Sequence, residues 1–210
     1  NDASVLVIAS DIARYGIDTP GESTQGAGSV AMLIKKDPAI AVINDENVCQ
    51  TRDIMDFWRP NYSDFPYVDG HFSTKQYLDC LTTTFEEYKK RYNQSLDDFD
   101  AFCFHLPFPK LGLKAINSIL EKNIEKEIKN DFLEKFHTSI IYGKRVGNIY
   151  TGSLYLSLLS LLENCENLNG GDKIGMYSYG SGAVCEFFNL TLVEGFKNHL
   201  RCDRLNDFEN

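Results

Sequence analysis

At residues 102–110 the chain reads FCFHLPFPK, placing one imidazole, His105, among aromatic and proline residues and a lysine five positions later. A histidine in such surroundings must satisfy two ring nitrogens, which costs free energy unless partners or a task are supplied. It could move a proton or hydrogen-bond a ligand; the plainer alternative is a core histidine with its partners in place. Cys103, two residues earlier, would share a strand face with it. Roughly 7 Å of strand separates their Cβ atoms, which disfavours a thiolate–imidazolium pair and leaves Cys103 as a packing residue. Lys110 and Lys114 are four apart on a helix expected just after the histidine, where they could hold a phosphorylated ligand or form an ordinary solvated face. SYGSGAV at 178–184 follows an expected strand with small residues, so it is either a tight turn or a place where backbone N–H groups approach a substrate oxygen. Tyr179 stands where a nucleophile elbow would need glycine.

These residues must be positioned by an alternating set of elements. Strands are expected at 4–11, 28–35, 39–44, 100–105, 173–179 and 184–194, the last rich in β formers although it alternates poorly. In 74–92 the spacing of Tyr77, Leu78, Leu81, Phe85 and Tyr88 predicts an amphipathic helix, with Ser73 available as its N-cap. A second helix is expected over 110–128 on Leu111, Ala115, Ile119 and Ile124, a third within 129–142, and a buried one over 151–164, which is apolar nearly all round. The Gly- and Pro-punctuated stretches 15–28, 57–73 and 142–148 read as loops. Mixed in this order, the elements imply an α/β layered domain.

Composition narrows the class. A net charge of -9 over 210 residues argues against a general nucleic-acid surface, which needs clustered Lys and Arg. The six cysteines (Cys49, Cys80, Cys103, Cys165, Cys185 and Cys202) show neither a CxxC pair nor metal-ligand spacing and read as reduced thiols. Apolar runs fall far short of the ~20 residues of a bilayer helix, and no signal peptide opens the chain, so a cytoplasmic protein without membrane partners is expected. SVLVIASDI near the start has the pattern of a strand buried on both faces, which needs neighbours on each side. The chain is therefore expected to be a piece of a longer fold.

VIASDIARYG, TQGAGSVAM, DFWRPNYSDFPYVDG, FCFHLPFPKLGLKA, VGNIYTGSLYLSLLSLLEN and SYGSGAVCEFF occur in that order across about residues 4–198. Together they resemble the bacterial type of the 3-hydroxy-3-methylglutaryl-CoA synthase family, in the thiolase superfamily. The resemblance implies a thiolase-like layered αβαβα fold of which this chain is the C-terminal part, residues 1–47 closing the N-terminal half and 48–210 forming the C-terminal half, in an enzyme that is a homodimer when complete. It implies condensation of acetyl-CoA with acetoacetyl-CoA and water to HMG-CoA and CoA on the mevalonate route to isoprenoids, with no cofactor and no metal.

Carried over by motif, the resemblance makes His105 the catalytic histidine that helps polarise the ketone of acetoacetyl-CoA. Thr24, Ser73, Lys110, Lys114, Asn148 and Ser181 match substrate- or CoA-binding positions, and Asp11, Tyr15, Asp56, Phe57, Tyr150 and Tyr179 surround the site. The nucleophilic cysteine and general-base glutamate of the family belong to a segment before residue 1, an expected partner without which this chain should not condense anything. Two alternatives accompany this reading: a polyketide β-branching enzyme acting on carrier-protein-bound acyl groups, and a non-catalytic half-thiolase interaction module.

Overall fold

The structure, a computed structural model, describes residues 3–19, 21–121, 123–201 and 203–208. Two strands, β1 (Val5–Ile12) and β2 (Ala27–Ile34), form an antiparallel hairpin. β3 (Ala41–Thr51) follows, and then a two-residue ribbon of β4 (Phe57–Trp58) with β5 (Tyr67–Val68). Thereafter come α1 (Gly70–Tyr92), β6 (Ala101–Phe104), α2 (Pro109–Ile119), α3 (Lys126–Ser139), α4 (Ile141–Val146), α5 (Gly152–Asn164), β7 (Lys173–Gly180), β8 (Val184–Leu192) and a short α6 (Arg204–Asp207). The central sheet has the order β3-β8-β7-β6, with β6 and β7 parallel and the other pairs antiparallel.

A strand covered on both faces has no reason to alternate apolar with polar residues, and this explains the expected strand at 184–194. Cys185 and Phe187 face the layer of α1 and α2, whereas Leu190 and Leu192 face α5. Phe102 and Phe104 of β6 point to the first layer, Ala101 and Cys103 to the second. The first layer is an aromatic cluster: Phe187 packs within 5.0 Å of Phe85 and 4.9 Å of Tyr88 between ring centroids, and it also meets Phe99 and Phe102. Gly175 makes room for it, since a Cβ there would stand 2.4 Å from the Phe102 ring.

Asp69, not Ser73, starts α1: its carboxylate accepts from the His71 and Phe72 amides at 3.0 Å, satisfying two orphan donors. Ser73 lies inside the first turn, so the expected capping role is corrected. The expected helix 110–128 is shorter: the stripe Leu111, Ala115, Ile119 is followed after Leu120 by the polar run 121–123, and Ile124, five positions past Ile119, is out of phase with it. Leu120 is extended, and α3 starts at Lys126. Most of 142–148, expected as a loop, is helical in α4. β3 outruns the expected 39–44, with a register irregularity between Ile43 and Asn47 that carries the polar run Asn44, Asp45, Glu46. It passes through residue 47, pairing with β8 on both sides of that irregularity.

The hairpin contrasts with this sheet. β1, expected to be buried on both faces, is open on both within this chain, with Leu6 and Ile8 each 60% exposed. At the other end, Arg204 holds the nearly inaccessible Glu163 carboxylate with two bonds of 2.7 and 2.8 Å, the Tyr142 hydroxyl donates to it at 2.7 Å, and Phe208 packs on Tyr142. Cys49, Cys80, Cys103, Cys165 and Cys185 are free thiols; Cys202 lies outside the described residues. No helix among the described residues is long and apolar enough to cross a membrane.

Candidate active site

His105 sits one residue past β6, 9% exposed. Its amide donates to the Tyr177 carbonyl at 2.8 Å, and its carbonyl accepts from the Tyr77 hydroxyl at 3.0 Å. Burial lowers the imidazole pKa to about 4, opposed by a ring hydrogen bond to the Tyr150 backbone. An influence that favours the protonated ring is that of a carbonyl, so the Tyr150 carbonyl is the group a ring N–H would be directed toward. The neutral ring then offers its other nitrogen as an acceptor, and turns donor there only when it takes up a proton. Cys103 is no second nucleophile: burial pushes its thiol up to about 12, and its side chain packs toward α5.

The Tyr150 carbonyl is aimed by its local backbone. Tyr150 takes a left-handed conformation, φ 49°, in the turn between α4 and α5, a conformation costly for a non-glycine residue. The buried Asn148 side chain supports that turn, accepting from the Tyr150 amide at 2.9 Å and the Ser153 hydroxyl at 3.1 Å while donating to the Tyr15 hydroxyl at 2.6 Å. The Asn148 amide donates to the Thr24 carbonyl, and the Gln25 side chain accepts from the Tyr15 amide. This approach of two chain segments needs Gly147, whose φ is +82° and whose Cβ would stand 2.3 Å from the Gln25 carbonyl oxygen. Tyr15 meets the Tyr150 and Phe57 rings edge-on at 6.4 and 5.7 Å, and burial, then Tyr150, raises its pKa.

Phe57 links this group to a second one built on Asp56. The Asp56 carboxylate, fully buried, accepts from the Tyr179 hydroxyl at 2.7 Å, the Ser181 hydroxyl at 2.9 Å and the Gly182 amide at 3.0 Å. It thereby ties the β7–β8 turn to the stretch between β3 and β4. Burial and the neighbouring carboxylate raise the Tyr179 pKa, keeping it a donor. SYGSGAV is thus a tight turn as well as a candidate oxyanion site, with the Ser181 hydroxyl committed to Asp56.

Of the residues singled out in the sequence, His105, Asn148, Tyr150, Tyr15, Thr24, Phe57, Asp56, Tyr179 and Ser181 fall into these two joined groups. Asp11 is exposed on β1, and its charge reaches Tyr15. Lys110 and Lys114 are exposed on the first two turns of α2, and Ser73 is half-buried in the first turn of α1; none of the three shares a hydrogen bond with the two groups. Tyr77, Gln25 and Ser153 were not singled out. Tyr77 reads as one more aromatic on an apolar helix stripe, and nothing in spacing reveals where a buried hydroxyl donates. A cavity of about 310 Å³ between the hairpin and α5 is lined by Asp11, Ile149, Thr151 and Tyr155, beside the Asn148 turn.

The family described as hydroxymethylglutaryl-coenzyme A synthase C terminal matches residues 42–131 and 112–206. A hydroxymethylglutaryl-CoA synthase of Enterococcus faecalis is 48% identical over 200 residues, covering 95% of this chain and 52% of that protein. The polyketide biosynthesis 3-hydroxy-3-methylglutaryl-ACP synthase PksG of Bacillus subtilis is 34% identical, covering 92% of this chain and 50% of its own. Among solved structures, a crystal structure of an HMG-CoA synthase complexed with CoA superimposes with a TM-score of 0.95 at 62% identity, over 98% of this chain and 53% of that one. The chain spans about half the length of the curated relatives it matches, and it shares their thiolase-like α/β fold.

Proposed function

The chain belongs to the hydroxymethylglutaryl-coenzyme A synthase C-terminal family, and from that premise we propose that it is the C-terminal part of an enzyme condensing acetyl-CoA with acetoacetyl-CoA and water to HMG-CoA and CoA. The observation that carries this reading is the buried imidazole of His105, kept neutral by its burial and influenced by the backbone of Tyr150, whose amide donates to the Asn148 side chain. A neutral, oriented imidazole at the end of a strand can take or give one proton at a defined place. In the complete enzyme a proton on His105 would make both ring nitrogens donors, one to Tyr150 and one to the ketone oxygen of acetoacetyl-CoA, where negative charge grows as the carbon–carbon bond forms. Asn148 and the Ser181 backbone N–H would orient the thioesters, Thr24 and Ser73 would add contacts, and Lys110 and Lys114 would face the CoA phosphates. The nucleophilic cysteine and the base glutamate would come from a segment N-terminal to this chain, which would complete the five-layer fold around the hairpin; the enzyme would be a cytoplasmic homodimer of the mevalonate pathway, using no cofactor.

Acetyl-CoA and acetoacetyl-CoA turnover by the 210-residue chain alone, and by the same chain joined to such a segment, tests the reading. The joined enzyme should make HMG-CoA and the chain alone should not; turnover by the chain alone overturns the division. In the joined enzyme, His105→Ala should leave acetylation of the cysteine within about twofold and slow use of acetoacetyl-CoA by at least ~100-fold. The carrier-protein alternative predicts preference for an acetoacetylated carrier protein over acetoacetyl-CoA; the higher identity to the CoA enzyme, 48% against 34%, favours free CoA.

A further inference from the structure

Three hydrogen bonds close a circuit around His105. The His105 amide donates to the Tyr177 carbonyl at 2.8 Å, the Tyr177 hydroxyl donates to the Tyr77 carbonyl at 3.0 Å, and the Tyr77 hydroxyl donates to the His105 carbonyl at 3.0 Å. α1, β7 and the end of β6 are each tied to the other two by one bond. Both tyrosines are buried, and their rings meet edge-on at 5.2 Å. Tyr77 also meets the Tyr179 ring at 5.2 Å, and Tyr179 donates to Asp56. Tyr77 is therefore the joint between the histidine and the Asp56 group, although it is a member of neither.

The position of His105 explains why such a joint is needed. Parallel pairing of β6 with β7 ends at Phe104, opposite Tyr177, so the His105 carbonyl has no partner strand. A buried carbonyl without a donor is costly, and a backbone deprived of one turns to find another. Any such turn at residue 105 also swings its imidazole away from the Tyr150 carbonyl. We infer that Tyr77 is a positioning residue of the proposed reaction: its hydroxyl fixes the His105 backbone and, through it, the direction of the imidazole. This rests on His105 acting as proposed above, and Tyr77 itself touches no substrate.

The test replaces one hydroxyl at a time in the joined enzyme. Tyr77→Phe keeps the ring and removes the donor; Tyr88→Phe is the control, because Tyr88 is likewise a core ring on the same stripe of α1 but its hydroxyl bonds Glu46 and Asn189 instead. Tyr77→Phe should slow condensation with acetoacetyl-CoA roughly tenfold, as expected when a catalytic group is slightly misplaced, while acetylation of the cysteine stays within about twofold. Tyr88→Phe should lower thermal stability by a similar amount and leave both half-reactions unchanged. At one fixed pH, the NMR resonances of the His105 ring should move in Tyr77→Phe and stay in Tyr88→Phe. Unchanged condensation with unmoved ring resonances overturns the inference, as does an equal fall of both half-reactions. An inactive parent enzyme counts against the proposed reaction instead, and the ring resonances then decide the role of Tyr77.

Discussion

The β1–β2 hairpin and the β6–β7–β8 strands are written in the same apolar vocabulary, yet the first stands largely open to water, with one face only partly covered by α5, and the second is sealed between two helical layers. Side-chain pattern therefore reports what a strand must be packed against, and not whether its own chain supplies it. Burial inside this chain stabilises the sheet outright, whereas the hairpin has little to lose here.

The largest expected effect tests this contrast directly. Phe187→Ala removes a ring in contact with four aromatic neighbours and should cost about 3–5 kcal/mol of unfolding free energy by urea titration. Ile8→Ala on the exposed hairpin should cost less than about 0.5 kcal/mol in the chain alone, and clearly more once a preceding segment is joined. Equal costs at both sites in the chain alone would break the comparison.

A second effect of about 3 kcal/mol comes from the sheet's burial of His105. Its pKa is lowered from 6.5 to about 4 by desolvation, so between those values the unfolded chain binds a proton that the folded chain refuses. The associated stability is complete above about pH 6.5, is lost as the pH falls toward 4, and is flat below that. Denaturation at pH 7 and pH 5 should show the loss, and His105→Gln should remove most of it.

A third, more modest loss is expected at the chain's other margin. Arg204→Ala leaves Glu163 with only the Tyr142 hydroxyl and the Arg201 amide and should cost about 1–3 kcal/mol at neutral pH. Burial raises the Glu163 pKa, but its bonded partners outweigh that and hold it below the usual value. The Arg204 contribution is thus present above the unfolded carboxyl value and fades as the pH falls through the lower folded one. A thermal-unfolding series from pH 7 to pH 3 checks this, and a difference constant with pH would count against the ion pair.

Much of the fold was legible because periodicity is local. The stripe Tyr77, Leu81, Phe85, Tyr88 marked α1, and the all-round apolar 151–164 marked the buried α5 almost to its ends. The apolar run that marks β3 ends at Asn44 because Asp45 and Glu46 are charged, and only the Asn44 and Glu46 bonds to Asn189 of β8 explain how the strand continues through them. His105 stood out through its apolar frame, and most other candidate site residues through the resemblance. Tyr77 stayed hidden because its meaning is a bond to a carbonyl 28 residues away, and a single sequence carries no trace of such a partner.

The Asn148–Tyr15 bond joins residues 133 positions apart, and its consequence is one of folding order. Closing so long a loop is an entropic cost that the growing chain can meet only after most of its length exists. The hairpin pairs two strands close in sequence, so it can form while that bond is still open. The candidate site is in this sense a late product of folding, assembled when the turn carrying Asn148 and Tyr150 closes over residues synthesised long before it.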